Sequence, residues 1–161
     1  MYTVVDSPVG PLRLVEADGL ITAIEFSPFA EVPVLGRPRG QQQDDHPVLV
    51  ECARQLAAYF DRDLKEFDLP LAPHGSAFQQ LVWAQLREIG YGETATYGEV
   101  AHRIGRTNAA SRAVGLANGS NPIPIVIPCH RVIGANGTLT GYAGGLERKQ
   151  TLLSLEQDAL F

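Results

Sequence analysis

Apolar positions alternate along the start of the chain and later recur every three to four residues, a pattern that predicts strands first and helices after them. Tyr2 to Val5, Pro11 to Val15 and Leu20 to Phe26 are short β-type runs. The turn sequences Ser7-Pro8-Val9-Gly10 and Asp18-Gly19 separate them, so a small antiparallel sheet is expected. Ser27 to Pro47 is rich in Pro, Gly and Gln and has no period, which reads as a surface connection. Leu49, Cys52, Ala53, Leu56 and Phe60 fall on one helical face, giving a helix from about Val48 to Phe60 with Cys52 in the core. Phe67, Leu69 and Leu71 alternate and predict one more strand, ahead of a lobe boundary at Pro73-His74-Gly75.

Beyond that boundary the signals are helical. Ser76-Ala77-Phe78-Gln79 has the form of a capping box, and Phe78, Leu81, Val82, Leu86 and Ile89 form an apolar stripe behind it. A second box, Thr96-Tyr97-Gly98-Glu99, opens a short helix that Gly105 should stop. Arg106-Thr107-Asn108 makes a tight turn, with Asn108 expected to cap a further helix from about Ala109 to Asn118. Two short helices about such a turn suggest a helix-turn-helix over about 97–118, although many such corners bind nothing. The second helix is built from small residues, Ala109, Ala110, Ala113, Gly115 and Ala117, with Arg112 its one long cation. Close approach of its backbone to a nucleic-acid groove or to a neighbouring helix would each explain that composition. The expected fold class is α+β: residues 1–73 form a small N-terminal lobe with an antiparallel sheet and a helix. Residues 74–161 then form a mostly helical domain.

Composition narrows the function classes. At 161 residues the chain can bury a core without staples, and its two cysteines allow one disulfide at most. His46, His74, His102 and His130 lie far apart with no Cys-x-x-Cys among them, so no metal is expected. No run is long enough to span a bilayer and no basic leader precedes one, which predicts a soluble cytoplasmic protein away from membranes. The net charge of −5 is uneven: residues 1–75 hold 6 Lys+Arg against 12 Asp+Glu, and residues 76–161 hold 7 against 6. In the near-neutral half Arg103, Arg106, Arg112, Arg131, Arg148 and Lys149 could meet phosphates. A monomer is expected, with cooperative assembly on DNA an open alternative.

The stretch that carries most chemistry is Ile127-Pro128-Cys129-His130-Arg131-Val132, where one cysteine adjoins a histidine and an arginine. Nearby cations lower a thiol's pKa and expose a soft nucleophile. The hexapeptide equally fits a small core residue beside two solvated bases.

Taken with Tyr97, Arg112-Ala113-Val114-Gly115-Leu116-Ala117, Asn121-Pro122, Gly141-Tyr142-Ala143-Gly144-Gly145 and Leu152-Leu153-Ser154-Leu155-Glu156, the Pro-Cys-His-Arg-Val element at 128–132 resembles the O6-alkylguanine-DNA alkyltransferases. The order and spacing agree from about Phe78 to Glu156, and Ser7-Pro8-Val9-Gly10-Pro11-Leu12 is similar to that family's first lobe. The resemblance implies stoichiometric, irreversible transfer of an alkyl group to Cys129 from O6 of guanine, and from O4 of thymine, in duplex DNA, without a cofactor. It implies that His130 activates the thiol through a water, that Glu156 orients His130, that Tyr97 protonates the leaving base and that Asn121 holds the turn. It further implies a flipped base lined by Val132, Tyr142 and Ala143, with Arg112 filling its place in the duplex while Ser111, Ala113 and Gly115 allow minor-groove approach. Ala143 stands where some relatives carry serine, and the first lobe lacks the paired cysteines that bind zinc in some members.

Three other readings compete. A non-catalytic alkylated-base-binding protein of the alkyltransferase-like type would have the cysteine replaced. A cysteine hydrolase would need a Cys/His pair facing each other, which sequence neighbours rarely do. A regulatory helix-turn-helix protein would leave Cys129 dispensable.

Overall fold

Three strands, β1 (Tyr2–Val5), β2 (Leu12–Ala17) and β3 (Leu20–Phe26), pair antiparallel in the order β1-β2-β3. They belong to a computed structural model that describes residues 1–30 and 39–158. Tyr2 faces Val15 in the first ladder, and a bulge between Val15 and Glu16 shifts the second. Leu12 and Leu14 on β2 and Ile21 and Ile24 on β3 are buried, as alternation requires when one face meets a core. The helix α1 (Pro47–Phe60) supplies the other half of that core with Leu49, Cys52, Leu56 and Tyr59. Pro47 sits at its start, where a missing N–H costs nothing, and His46 Nδ1 accepts the Val48 N–H as its cap.

One expectation for this unit needs correction. The segment at Phe67, Leu69 and Leu71 forms no strand, because Pro70 has no N–H to give a ladder. Only a bridge from Ile21 to Leu71 forms, with Ile21 N–H donating to Pro70 and Ala72 N–H to Ile21. Buried Gln55 of α1 holds the same segment by two 2.9 Å bonds to the Asp68 backbone. The connection from Ser27 to Pro47 lies at the surface over its described residues, as expected, with Gln41 and Gln43 bonding the backbone of Tyr2 near its end. Its residues 31–38 lie outside the described part.

Residues 74–161 make a second compact unit, distinct from 1–73. Both predicted capping boxes form: Ser76 with Gln79 opens α2 (Ala77–Leu86), and Thr96 with Glu99 opens α3 (Tyr97–Arg103). On α2 the buried stripe is Val82, Trp83 and Leu86, whereas Leu81 is 43 % exposed, so the stripe is rotated from the one predicted. A two-residue strand, β4 (Ala95–Thr96), precedes α3. Gly105, at φ 79°, ends the turn after α3, a backbone region that glycine enters freely.

A 3-10 turn at Asn108–Ala110 leads into α4 (Ser111–Gly119), which packs on α3 and α2. Asn108 caps neither element. Its side-chain oxygen instead lies 3.0 Å from His102 Nε2 on α3. Two γ-turns and a second 3-10 turn (Cys129–Arg131) bring the chain to β5 (Val132–Ile133), parallel to β4, and α5 (Leu146–Asp158) follows. Among the described residues no helix is long and apolar enough to cross a membrane.

Thr96→Ala removes one arm of a capping box and should cost about 1 kcal/mol. Asn108→Ala should cost within about 0.5 kcal/mol, as a surface substitution that loses no cap. Urea unfolding followed by the fluorescence of Trp83, the sole tryptophan, ranks the two. A larger loss for Asn108→Ala would contradict the geometry.

Candidate active site

Backbone geometry sets up the cysteine. Ile125 has φ 74°, a genuine outlier for a β-branched residue, and Val126 N–H closes a γ-turn around it onto the Pro124 carbonyl at 2.9 Å. A second γ-turn, at Pro128, joins Cys129 N–H to the Ile127 carbonyl at 2.8 Å. The strain at Ile125 persists only where surrounding bonds over-determine it. Asn121, 7 % exposed, supplies them: its Nδ2 donates to the Ile127 carbonyl at 2.8 Å and its Oδ1 accepts from Ile123 N–H at 3.0 Å. From α4, Asn118 Nδ2 donates to the Cys129 carbonyl at 3.2 Å.

Around the sulfur, burial outweighs activation. Cys129 is 3 % exposed. Burial pushes its thiol above the ordinary value, against hydrogen bonds from the Asn121 and Tyr142 side chains and the charge of Lys149. The resting residue is therefore a thiol. The two bases beside it in sequence are not solvated: His130 is 0 % exposed and Arg131 6 %.

Both turn inward onto Glu156 of α5, itself 1 % exposed. His130 Nε2 is 2.6 Å from Glu156 Oε2, Arg131 Nε donates to Oε1 at 2.8 Å, and Arg131 Nη2 donates to Oε2 at 3.1 Å. Gly92 N–H adds a long bond of 3.4 Å to Oε1, and Arg131 Nη1 donates to the Ile89 carbonyl at 2.6 Å. Burial raises the pKa of Glu156, but the bonds from His130 and Arg131 overcome it and hold the carboxyl at about 2. The carboxylate thus fixes the proton of His130 on Nε2, and burial keeps the ring neutral by lowering its pKa, against the pull of Glu156. The other nitrogen, Nδ1, is buried and has no hydrogen-bond partner among the described residues.

The parallel pairing of Ala95 with Val132 carries Tyr97 into the same neighbourhood as the cysteine turn. Tyr97 OH is 2.8 Å from Thr140 Oγ1, and its ring lies over Gly115, where an added Cβ would come within 3.6 Å. Tyr142 is half-buried and Ala143 exposed on the segment after Thr140, whereas Val132 is buried on β5. Arg112 and Ala113 stand exposed on α4, with Ser111 and Gly115 half-buried beside them.

Both halves of the chain match one set of family models. The DNA binding domain of 6-O-methylguanine DNA methyltransferase matches residues 77–158, and the ribonuclease-like domain of the same protein matches residues 1–73. The chain belongs to the 6-O-methylguanine DNA methyltransferase family. A methylated-DNA--protein-cysteine methyltransferase of Methanosarcina acetivorans is 50 % identical over 158 residues, covering 96 % of this chain and 97 % of that protein. The crystal structure of the Mycobacterium tuberculosis O6-methylguanine methyltransferase superposes with a TM-score of 0.88 at 45 % identity, covering 98 % of this chain and 93 % of that one. The same organism's OGT in complex with DNA gives a TM-score of 0.84 with the same identity and coverage.

In this member of the methyltransferase family, two cations counted among possible phosphate ligands are instead internal. Arg131 is committed to Glu156, and Lys149 is fully buried, its Nζ donating to the carbonyls of Val132 at 2.6 Å and Thr140 at 3.0 Å. Sequence reasoning also passed over Asn118. Nothing in local periodicity marks these three, because their partners lie on other elements.

Removing Arg131 by Arg131→Met leaves a buried carboxylate short of its main counter-charge, and should cost about 3–5 kcal/mol. Acid adds a second test. The depressed Glu156 contributes stability that is present above its unfolded pKa and lost as pH falls toward about 2. The lowered His130 favours a neutral ring, so stability also declines as pH drops below the ordinary imidazole value of 6.5. In Arg131→Met, with Glu156 less depressed, the acid loss should be smaller and be complete at a higher pH. Superimposable unfolding-versus-pH curves would contradict the network.

Proposed function

We propose that the chain repairs DNA by direct reversal, taking the alkyl group from O6 of guanine, and from O4 of thymine, in duplex DNA onto Cys129. The observation that carries the reading is the state of His130: Glu156 locks its Nε2, and Nδ1 is left as a neutral acceptor one residue from the thiol. A protonated thiol beside a neutral imidazole is a nucleophile and base at rest.

The reaction balances without a cofactor. The Sγ proton passes to His130 Nδ1 through a bridging water, and Glu156 stabilises the imidazolium that forms. The thiolate attacks the alkyl carbon, the carbon–oxygen bond breaks, and its electrons leave with the guanine oxygen. Tyr97 gives a proton to the departing ring, assisted by its bond to Thr140. The thioether is not cleaved by water, so each molecule acts once.

Access requires the base to be flipped from the stack. Arg112, exposed on α4, fills the vacated space, and the small side chains of Ser111, Ala113 and Gly115 let the helix approach the minor groove. Backbone at Val132 and Ala143 and the ring of Tyr142 line the pocket.

Peptide mass analysis after incubation with duplex DNA containing O6-methylguanine should find one added methylene on the Cys129 peptide and none on the Cys52 peptide. Tight lesion binding with an unmodified Cys129 would refute transfer. Arg112→Ala should slow repair of duplex by about tenfold or more, consistent with a flipping cost of a few kcal/mol. Its reaction with free O6-benzylguanine should change by less than about twofold. Equal losses on both substrates would remove Arg112 from the flipping step.

A further inference from the structure

Lys149 is a buried charge that the reaction above leaves unused. It is 0 % exposed, and lysine is almost never fully buried unless paired. Its two acceptors, the carbonyls of Val132 and Thr140, are neutral. Among the described residues no carboxylate lies within ion-pair distance of its Nζ. An ammonium without a counter-charge in such a place costs several kcal/mol.

Its charge acts on Cys129 and His130 of the 3-10 turn, and His130 and its neighbour Arg131 both bond Glu156, two turns further along α5. Tyr97 joins them through Thr140. Arg131 and Lys149 are cations and Glu156 is the one carboxylate, already engaged by Arg131 and His130. The cluster therefore carries one positive charge too many until another group in it becomes negative. Cys129 is the candidate, three residues before the carbonyl that anchors Nζ. Burial lowers the pKa of Lys149 and the charge of Cys129 acts the other way, while Lys149 in turn favours the ionised sulfur.

We propose that Lys149 is the counter-charge of the Cys129 thiolate, a positioning residue held by two backbone carbonyls that lowers the energy of the ionised sulfur once His130 has taken its proton. Lys149 keeps its own protons throughout and does not touch the reacting carbon. The bond to Thr140 adds a second effect, because Thr140 also bonds Tyr97: the same ammonium holds the nucleophile's flank and the acid's partner in register. The inference rests on the alkyl-transfer reading only for the use to which the thiolate is put.

The ionisation of Cys129 can be followed by ultraviolet thiolate absorbance against pH, taking the difference from Cys129→Ser, with no DNA present. Lys149→Met should raise the midpoint by about one pH unit or more, an about tenfold loss of thiolate at neutral pH that is recovered in alkali. Lys149→Gln keeps a donor for the carbonyls without the charge, and should shift the midpoint as Lys149→Met does. It also serves if the methionine variant does not fold. A midpoint unmoved in Lys149→Gln would overturn the proposal and leave Lys149 a neutral staple. The two readings fail separately. A shifted midpoint in a protein that takes no methyl from DNA sinks the transfer reading alone. An unshifted midpoint in one that does take it sinks the role of Lys149 alone.

Discussion

A carboxylate buried at Glu156 ties the site together. Its two oxygens receive His130, Arg131 and the Gly92 backbone, which brings the cysteine turn, the last helix and the segment after α2 to one point. A buried ion pair is weak evidence for stability, because desolvation offsets much of the attraction. Specification is the better account of this one. By accepting from Nε2 it decides which nitrogen of His130 is left basic, and by holding Arg131 it removes from the thiol a cation that adjacency in sequence had appeared to offer.

The resting chemistry follows. A low-pKa thiolate exposed to solvent would react with any passing electrophile. Here burial favours a protonated Cys129 and a neutral His130. The fixed charges around the cysteine turn lean positive, with Arg131 and Lys149 against Glu156. The strained γ-turn at Ile125 belongs to the same design: Asn121 bonds both sides of it, so the sulfur is presented from backbone held out of its relaxed shape.

Legibility in the sequence divided along a physical line. Features that depend on neighbours in the chain could be read, and both capping boxes, the three-stranded sheet and α1 formed near their expected bounds. Features that depend on partners far along the chain could not. Asn108 had every local mark of a cap, yet His102 across the turn claims its oxygen. Phe67 to Leu71 alternated like a strand, but one proline removed the donor a ladder needs. Arg131 and Lys149 looked like surface cations because sequence cannot show a carboxylate 25 residues away or carbonyls 17 and 9 away. The hexapeptide's own chemistry singled out Cys129 and its basic neighbours, whereas Glu156 and the role of His130 came only from the family resemblance. The periodicity of α5 alone would not have singled out the acid.

The account stands on Glu156 making His130 a competent base. Its most direct test is the single-turnover rate of methyl transfer from duplex O6-methylguanine to Cys129, measured against pH in the native protein and in Glu156→Gln. Retained duplex affinity would show that the variant is folded. The account predicts a rate at least about tenfold lower at neutral pH in the variant, since the imidazolium loses its stabilising charge, with a changed pH profile. Coincident profiles at equal rates would contradict it.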